Sequence, residues 1–322
     1  MKKLIIPALI SGIVSISASA YAADTDYPNK PIDLVVPFDP GGSVDTTSRI
    51  IAEVANSYLS DNAKISIVNR SGGGGVIGQT SVALAKPDGY SILAMTSSVV
   101  TNPQMKGARY VIDDFEPVAL YNLDPQVIAV PGNSPFKTAE EFLAAAEQKK
   151  LNIVIAGIGT SHHMSGLAIE KVTNSKFNYI PTKGFGSQVQ AVVGGHVDGV
   201  LWPLGEAISQ LTDDRIRILA IASEERSERY PDIPTFQEVG INIPIWATFR
   251  GWAVPKGTPK ETIEHLSALM KRVYETPSYV EKMKSSGYLA TYRDSAGFKS
   301  VVDNYSKLTT VIIEEGGFGI KK

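Results

Sequence analysis

Two short segments gather the groups best suited to holding a small anion. Pro37-Phe38-Asp39-Pro40-Gly41-Gly42-Ser43 ends in two glycines and a hydroxyl, and Gly157-Ile158-Gly159-Thr160-Ser161-His162-His163 combines two glycines with two hydroxyls and two histidines. Each lies between a β-rich run and a run of helical spacing. Glycine lets the backbone approach a ligand closely, and the free amides and positive dipole end of a helix start favour negative charge. For the first segment a plainer reading stays open, a tight turn with Ser43 as an ordinary N-cap. The second segment lacks the Gly-Lys-Ser/Thr of a phosphate loop and the third glycine of a dinucleotide fingerprint. A carboxylate needs only two or three such donors.

The histidines suggest two kinds of chemistry. A metal site needs further ligands, but adjacent histidines diverge on a helix, and the other two, His196 and His265, show no ligand spacing, so no metal ligand is assigned. A hydrolase could use Ser161 and His163. However, Gly-Ile-Gly-Thr-Ser-His is not the Gly-x-Ser-x-Gly elbow, and no oxyanion partner can be assigned. Catalysis is therefore not expected, and a secreted hydrolase using Ser161 and His163 stands as the alternative, beside a non-catalytic interaction module. No cofactor is expected. With no cysteine in the chain, thiolate chemistry and Cys-based metal sites are excluded.

Further candidates are Gly74 within Ser71 to Gly75, Ser97 within Thr96-Ser97-Ser98, Lys183-Gly184-Phe185, and Trp202-Pro203. Each has a structural alternative: a flexible turn, an N-cap, a turn and a core aromatic, respectively. Phe38, Phe185 and Trp202 could stack on an aromatic acid or simply pack, and the choice between an aromatic and an aliphatic carboxylate stays open. Asp45 could cap or brace the helix after the first segment, or repel a second ligand charge. Gly41 and Gly159 are both expected in exposed loops, where a bulky substitution would abolish binding and spare the fold.

These loops need a framework to hold them. The chain opens with Met1-Lys2-Lys3, an apolar run from Leu4 to Val14, and small residues up to Ala20-Tyr21-Ala22, the pattern of a signal peptide cleaved before Ala23. The apolar core is shorter than the roughly 20 residues of a membrane span. The expected destination is the periplasm. About 300 residues remain, enough for two medium α/β domains. Loss of Lys2 and Lys3 takes the formal charge from −2 to −4, and the remaining basic residues are scattered, so neither nucleic acid nor anionic membrane is favoured.

From Pro31 onward, β-rich runs alternate with helical ones, the signature of a mostly parallel sheet wrapped by helices. Ile32 to Val36, Ile65 to Val68 and Tyr90 to Met95 read as strands, with helices from Val44 to Tyr58 and Val76 to Ala85. A second unit has strands Val127 to Val130, Asn152 to Ala156, Phe177 to Ile180 and Val197 to Leu201, with Thr138 as N-cap of a helix to Lys149. Strand patterns at Arg217 to Ala222 and Phe249 to Val254 precede helices over Lys260 to Tyr274, Ser278 to Lys284 and Ser295 to Glu315. The expected fold is α/β, with two doubly wound lobes joined by a hinge. The chain crosses near Asp124 and back near Pro244, so residues 23–124 form lobe 1, 125–244 lobe 2, and 245–322 the return to lobe 1.

The motifs Val36-Pro37-Phe38-x-Pro40-Gly41-Gly42-x-x-Asp45 and Val68-Asn69-Arg70-x-Gly72-x-Gly74-Gly75-x-Ile77-Gly78 carry a family resemblance, as do Ala85-x-Pro87-Asp88-Gly89-Tyr90 and Gly157-x-Gly159-Thr160-x-x-His163. Lys183-Gly184, Gly194-Gly195-x-Val197-Asp198, Pro234-Thr235-x-x-Glu238-x-Gly240 and Trp252-Ala253-x-Pro255-x-Gly257-Thr258-Pro259 continue the series in order. The chain resembles the Bug or TctC-type substrate-binding receptors of tripartite tricarboxylate transporters. The resemblance implies a Venus-flytrap receptor that closes on a small carboxylate and hands it to TctA- and TctB-type membrane subunits; a monomer suits such hinge closure. It implies that one ligand carboxylate is held by backbone amides and hydroxyls from Phe38 through Ser43 and from Gly157 through Ser161. Asp39, Gly73, Thr182 and Trp202-Pro203 depart from the family's usual pattern.

Overall fold

A computed structural model describes residues 27–243 and 246–320. The expected signal peptide over residues 1–22 and the expected return crossing near Pro244 lie outside those residues. The first half runs Ile32–Val36 (β1), Ser43–Ala55 (α1), Ile65–Asn69 (β2), Val76–Ala83 (α2), Ser91–Thr96 (β3), Ser98–Lys106 (α3), Phe115–Pro125 (β4) and Val127–Pro131 (β5). Then come Ala139–Gln148 (α4), Leu151–Ile155 (β6), Ser161–Val172 (α5), Phe177–Pro181 (β7), Phe185–Val193 (α6), Gly199–Val200 (β8), Leu204–Ile208 (α7) and Ile216–Ile221 (β9). Ala247–Pro255 (β10), Lys260–Tyr274 (α8), Pro277–Ser285 (α9), Ala290–Arg293 (β11) and Ser295–Glu315 (α10) complete the series.

The strands form two sheets, one ordered β11-β4-β10-β3-β1-β2 and the other β7-β6-β8-β5-β9. Strand periodicity decides which side chains face which helices. Along β1, Ile32, Leu34 and Val36 pack with Val44, Ile51 and Val54 of α1, and Val35 points to the other face among the side chains of α3 and α10. In β5, Ile128 and Val130 face α4 and α5, and Val127 and Ala129 face α6 and α7. Each fully buried aliphatic side chain contributes about 1.5–3 kcal/mol of transfer free energy. Thr138 caps α4 as its sequence suggests: its hydroxyl accepts from Glu141 N at 3.2 Å, and the Glu141 carboxylate accepts from Thr138 N.

Neither sheet is mostly parallel. In the first, β1 pairs in parallel with β2 and β3, but β10 lies antiparallel to β3 and β4. In the second, β6 runs parallel to β7 and β8, and β5 is antiparallel to β8 and β9. The reason is the route of the chain. β4 leaves the first sheet and becomes β5 of the second after one residue, Gln126, and β10 comes back beside it, so the strand entering meets the strand leaving head to tail. Gln126 N donates to Trp246 O at 2.9 Å, and its side-chain amide donates to Thr248 Oγ1 at 2.6 Å, joining the two crossings.

Several elements escape the sequence patterns. α3 carries β-branched Val99, Val100 and Thr101 and an internal Pro103, all unfavourable to a helix, and burial against the first sheet overrides them. β4 lacks alternation because its middle, from Val118 to Asp124, is buried on both faces apart from Leu123. The five-residue α7 and four-residue β11 are too short to show a period. The expected strand from Val197 to Leu201 shrinks to Gly199–Val200.

Candidate functional site

The start of α1 is built by Asp45. Its carboxylate accepts from Gly41 N at 2.9 Å, from both Arg49 Nε and Nη2 at 2.9 Å, and from Asn69 Nδ2 at 3.0 Å. Asn69 also donates to Phe38 O at 3.1 Å. Burial alone would raise the Asp45 carboxyl, but hydrogen bonds from Arg49, Gly41 and Asn69 outweigh it and hold the group below its usual range. Asp45 therefore braces the loop from behind, which decides among the roles its position allowed. Gly41 adopts φ +86°, a conformation that favours glycine.

The second loop is organised by His163. Gly159, at φ +76°, donates its amide to His163 Nδ1 at 3.2 Å, and the ring packs edge-on against Tyr179 at 4.6 Å. Burial, with Lys106 nearby, lowers His163 to about 4, so it is a neutral acceptor at pH 7. Gly159 itself is buried, against expectation, because its carbonyl accepts from Thr101 and α3 packs over it.

These loops meet at a cavity between the sheets. Gly42 and Ser43 of the first loop and Thr160 and Ser161 of the second face it, with Thr96 at the end of β3, Ser98 at the start of α3, and Lys183, Gly184 and Phe185 at the start of α6. Phe38 and Asp39 stand where this cavity continues into an outer space bounded by Gly72–Gly75, Gly157 and Ile158. Gly74 and Gly157 thus border only the outer space. Pro40 and Gly41 are exposed beside it, Gly159 and His163 lie behind the second loop, and Ser97 is turned away, accepting from Phe249 N at 3.2 Å. Trp202 is fully buried, stacked at a tilt 5.3 Å from Phe185, and donates to Gln188 Oε1 at 3.0 Å; it supports the wall without forming it.

The floor is a charged network that sequence patterns did not single out. Arg250 of β10, fully buried, pairs through Nη1 with Asp124 of β4 at 3.0 Å, donates from the same nitrogen to Asn122, and donates through Nη2 to Ser43 Oγ at 2.6 Å. The Ser43 hydroxyl passes its own hydrogen to Glu206 Oε1 of α7 at 2.6 Å. Glu206 Oε2 lies 3.5 Å from His162 Nε2, and His162 Nδ1 meets Gln188 Oε1 at 3.1 Å. Burial pulls His162 below its ordinary range against the attraction of Glu206, which leaves the ring neutral at pH 7. Burial would lower the Arg250 guanidinium too, but Asp124 and Glu206 raise it. The one legible sign was a charged residue inside the strand pattern Phe249 to Val254, since arginine is almost never fully buried without partners.

The hydrolase alternative has no geometry to rest on. His163 is engaged with Gly159 and Tyr179, His162 with Gln188, and neither is hydrogen-bonded to Ser161. Among the described residues, no group of three or more His, Asp or Glu is placed to hold a metal ion, and no helix is long and apolar enough to cross a membrane.

Two α/β lobes, joined by crossing strands that floor a cavity between them, define a solute-binding receptor. The chain belongs to the tripartite tricarboxylate transporter family receptor group, TctC, whose family model matches residues 48–318. It is 32% identical over 272 residues to the UPF0065 protein in the tcbD-tcbE intergenic region of Pseudomonas sp. (strain P51), covering 81% of this chain and 79% of that one. Among solved structures it resembles the periplasmic binding protein BugD, at 27% identity and a TM-score of 0.84 over 92% of this chain and all of that one. It also resembles MatC from Rhodopseudomonas palustris with bound malate, at 26% identity and a TM-score of 0.83 over 89% of this chain and all of that one. The protein is a binding protein of the TctC and Bug type and not an enzyme.

Proposed function

We propose that this chain is a periplasmic receptor that captures a small carboxylate between its lobes and delivers it to membrane subunits of a tripartite transporter. The observation that carries the reading is the convergence of two helix starts, Gly42-Ser43 of α1 and Thr160-Ser161 of α5, on one cavity from opposite sheets. The first amides of a helix have no intrahelical partner, and neither helix has a side-chain cap from its own N-cap residue. Capture needs only desolvation of the carboxylate between these donors and a closing rotation about β4 and β10.

The lobe limits that follow are residues 23–124 with 245–322, and 125–244, with the chain acting as a monomer. Export rests on the signal-like residues 1–22 and on the kinship with periplasmic binding proteins. The malate in MatC supports a carboxylate as the ligand class.

A thermal-shift screen of the chain from Ala23 onward against mono-, di- and tricarboxylates tests the reading. A ligand at 100 times its Kd adds about 2.7 kcal/mol and raises Tm by roughly 5 °C for a chain of this size. If no carboxylate moves the melt of a sample shown to be folded by circular dichroism, the carboxylate reading fails.

A further inference from the structure

The two helix starts that line the cavity are not equivalent. At α1, a carboxylate already sits on the anion-favouring end: Glu206 Oε1 accepts the Ser43 hydroxyl at 2.6 Å and faces the Ser43 amide at 3.4 Å. That carboxylate belongs to the protein and comes from α7. At α5, no described side chain caps the first amides, and Thr160 turns its hydroxyl back onto Gly157 O. An incoming carboxylate therefore finds the start of α5 uncapped, whereas at α1 it shares the start with Glu206.

The other oxygen of Glu206 gives the second observation. Glu206 is 6% exposed and lines the cavity, yet its Oε2 has no hydrogen-bond partner. His162 Nε2, 3.5 Å away, is too distant for a well-formed bond. A buried carboxylate oxygen is costly to leave unsatisfied, so the position calls for a donor. The charges point the same way. Asp124 and Glu206 face a single guanidinium, Arg250, whose charge is already matched by Asp124 at 3.0 Å, and the neutral His162 adds nothing. A ligand bringing only negative charge would add a third anion to Asp124 and Glu206 around the one buried guanidinium, while Lys183 and Asp39, also on the cavity, bring one charge of each sign.

We propose that Glu206 selects a ligand bearing a protonated amine beside its carboxylate, an amino-acid-like zwitterion, with the carboxylate on the start of α5 and the ammonium donating to Glu206 Oε2. This deepens the carboxylate-receptor reading and rests on it. Glu206 acts here as a specificity-determining residue, and its cavity neighbours Ser43 and Gln188 hold it and His162 in place.

Calorimetric titration of the chain from Ala23 onward with matched acids tests the assignment: alanine against propionate, aspartate against succinate, and glutamate against glutarate. In the pairs that bind, the amino acid is expected to bind at least tenfold more tightly than its amine-free partner. In Glu206→Gln, checked for a cooperative melt, that ratio should fall below threefold, with the affinity for the amine-free acid higher. An amine-free acid that binds the unmodified chain as tightly as its aminated partner overturns the proposal and leaves the carboxylate reading standing. A preference that survives in Glu206→Gln overturns it as well. If Glu206→Gln does not fold, the matched pairs on the unmodified chain decide alone. Failure of all six acids, and of the wider carboxylate screen, removes the carboxylate reading and this inference together.

Discussion

Arg250 and Asp124 meet at 3.0 Å across the two strands that join the lobes, both essentially sealed from solvent. The pair lies at the junction and not in either lobe's apolar core, so it ties the crossing strands together while Arg250 reaches Ser43 at the cavity. Removing one partner leaves the other buried without its counter-charge. Arg250→Ala is expected to lower unfolding stability by about 3–5 kcal/mol, measured by chemical denaturation. A loss below 1 kcal/mol would mean that water reaches Asp124 and that the junction is looser than its geometry implies.

Asp45→Asn should cost about 1 kcal/mol, because Arg49 is half-exposed and most of the benefit comes from the Gly41 and Asn69 hydrogen bonds. The folded carboxyl titrates below its unfolded value of about 3.9, so its contribution is present above that pH and lost as pH falls through the lower folded value. The gap between the parent and Asp45→Asn is therefore expected to stay constant from about pH 5 to 8 and to close in stronger acid. Urea melts across that range measure it; a gap that widens in acid contradicts the bracing role.

His163 sets a second pH dependence. Its folded value of about 4 lies below the ordinary 6.5, so the unfolded chain binds the proton first and stability declines as pH drops from about 6.5 toward 4. The full loss is about 3 kcal/mol by the linkage of about 1.4 kcal/mol per pH unit. His163→Gln should flatten that stretch of the stability curve. An unchanged slope would assign it to other groups.

The two loop glycines should separate binding from folding. At Gly41 an added side chain meets nothing within 4 Å, so Gly41→Leu pays mainly the left-handed backbone cost of about 1 kcal/mol while weakening ligand binding. At Gly159 the first carbon already touches Thr101, Asn102 and Met105 at 3.4 Å, so Gly159→Leu adds overpacking of about 1–3 kcal/mol to a similar strain. Melting curves of both variants, beside a ligand-induced shift, check the ordering. Equal stability losses would contradict it.

The sequence by itself determined what is local: the alternating strands and helices, the Thr138 cap, and the two glycine-hydroxyl segments that end facing the cavity. Strand and helix periods, caps and turns are written over a few consecutive residues, so β1, α1, β6, α5 and the C-terminal helices could be read directly. It also determined the family, through motifs spread in order along the chain. Tertiary structure alone decided how the crossing strands pair, and so which lobe each edge belongs to. It alone made Asp45 a brace, His163 a loop support and Trp202 a wall support, because each role depends on what packs behind the residue. It alone assembled the cavity floor. Arg250 lies 126 residues from Asp124 and 207 from Ser43, and Ser43 lies 163 from Glu206, separations over which no local pattern carries information. Those residues become neighbours only because β4 and β10 cross between the lobes side by side.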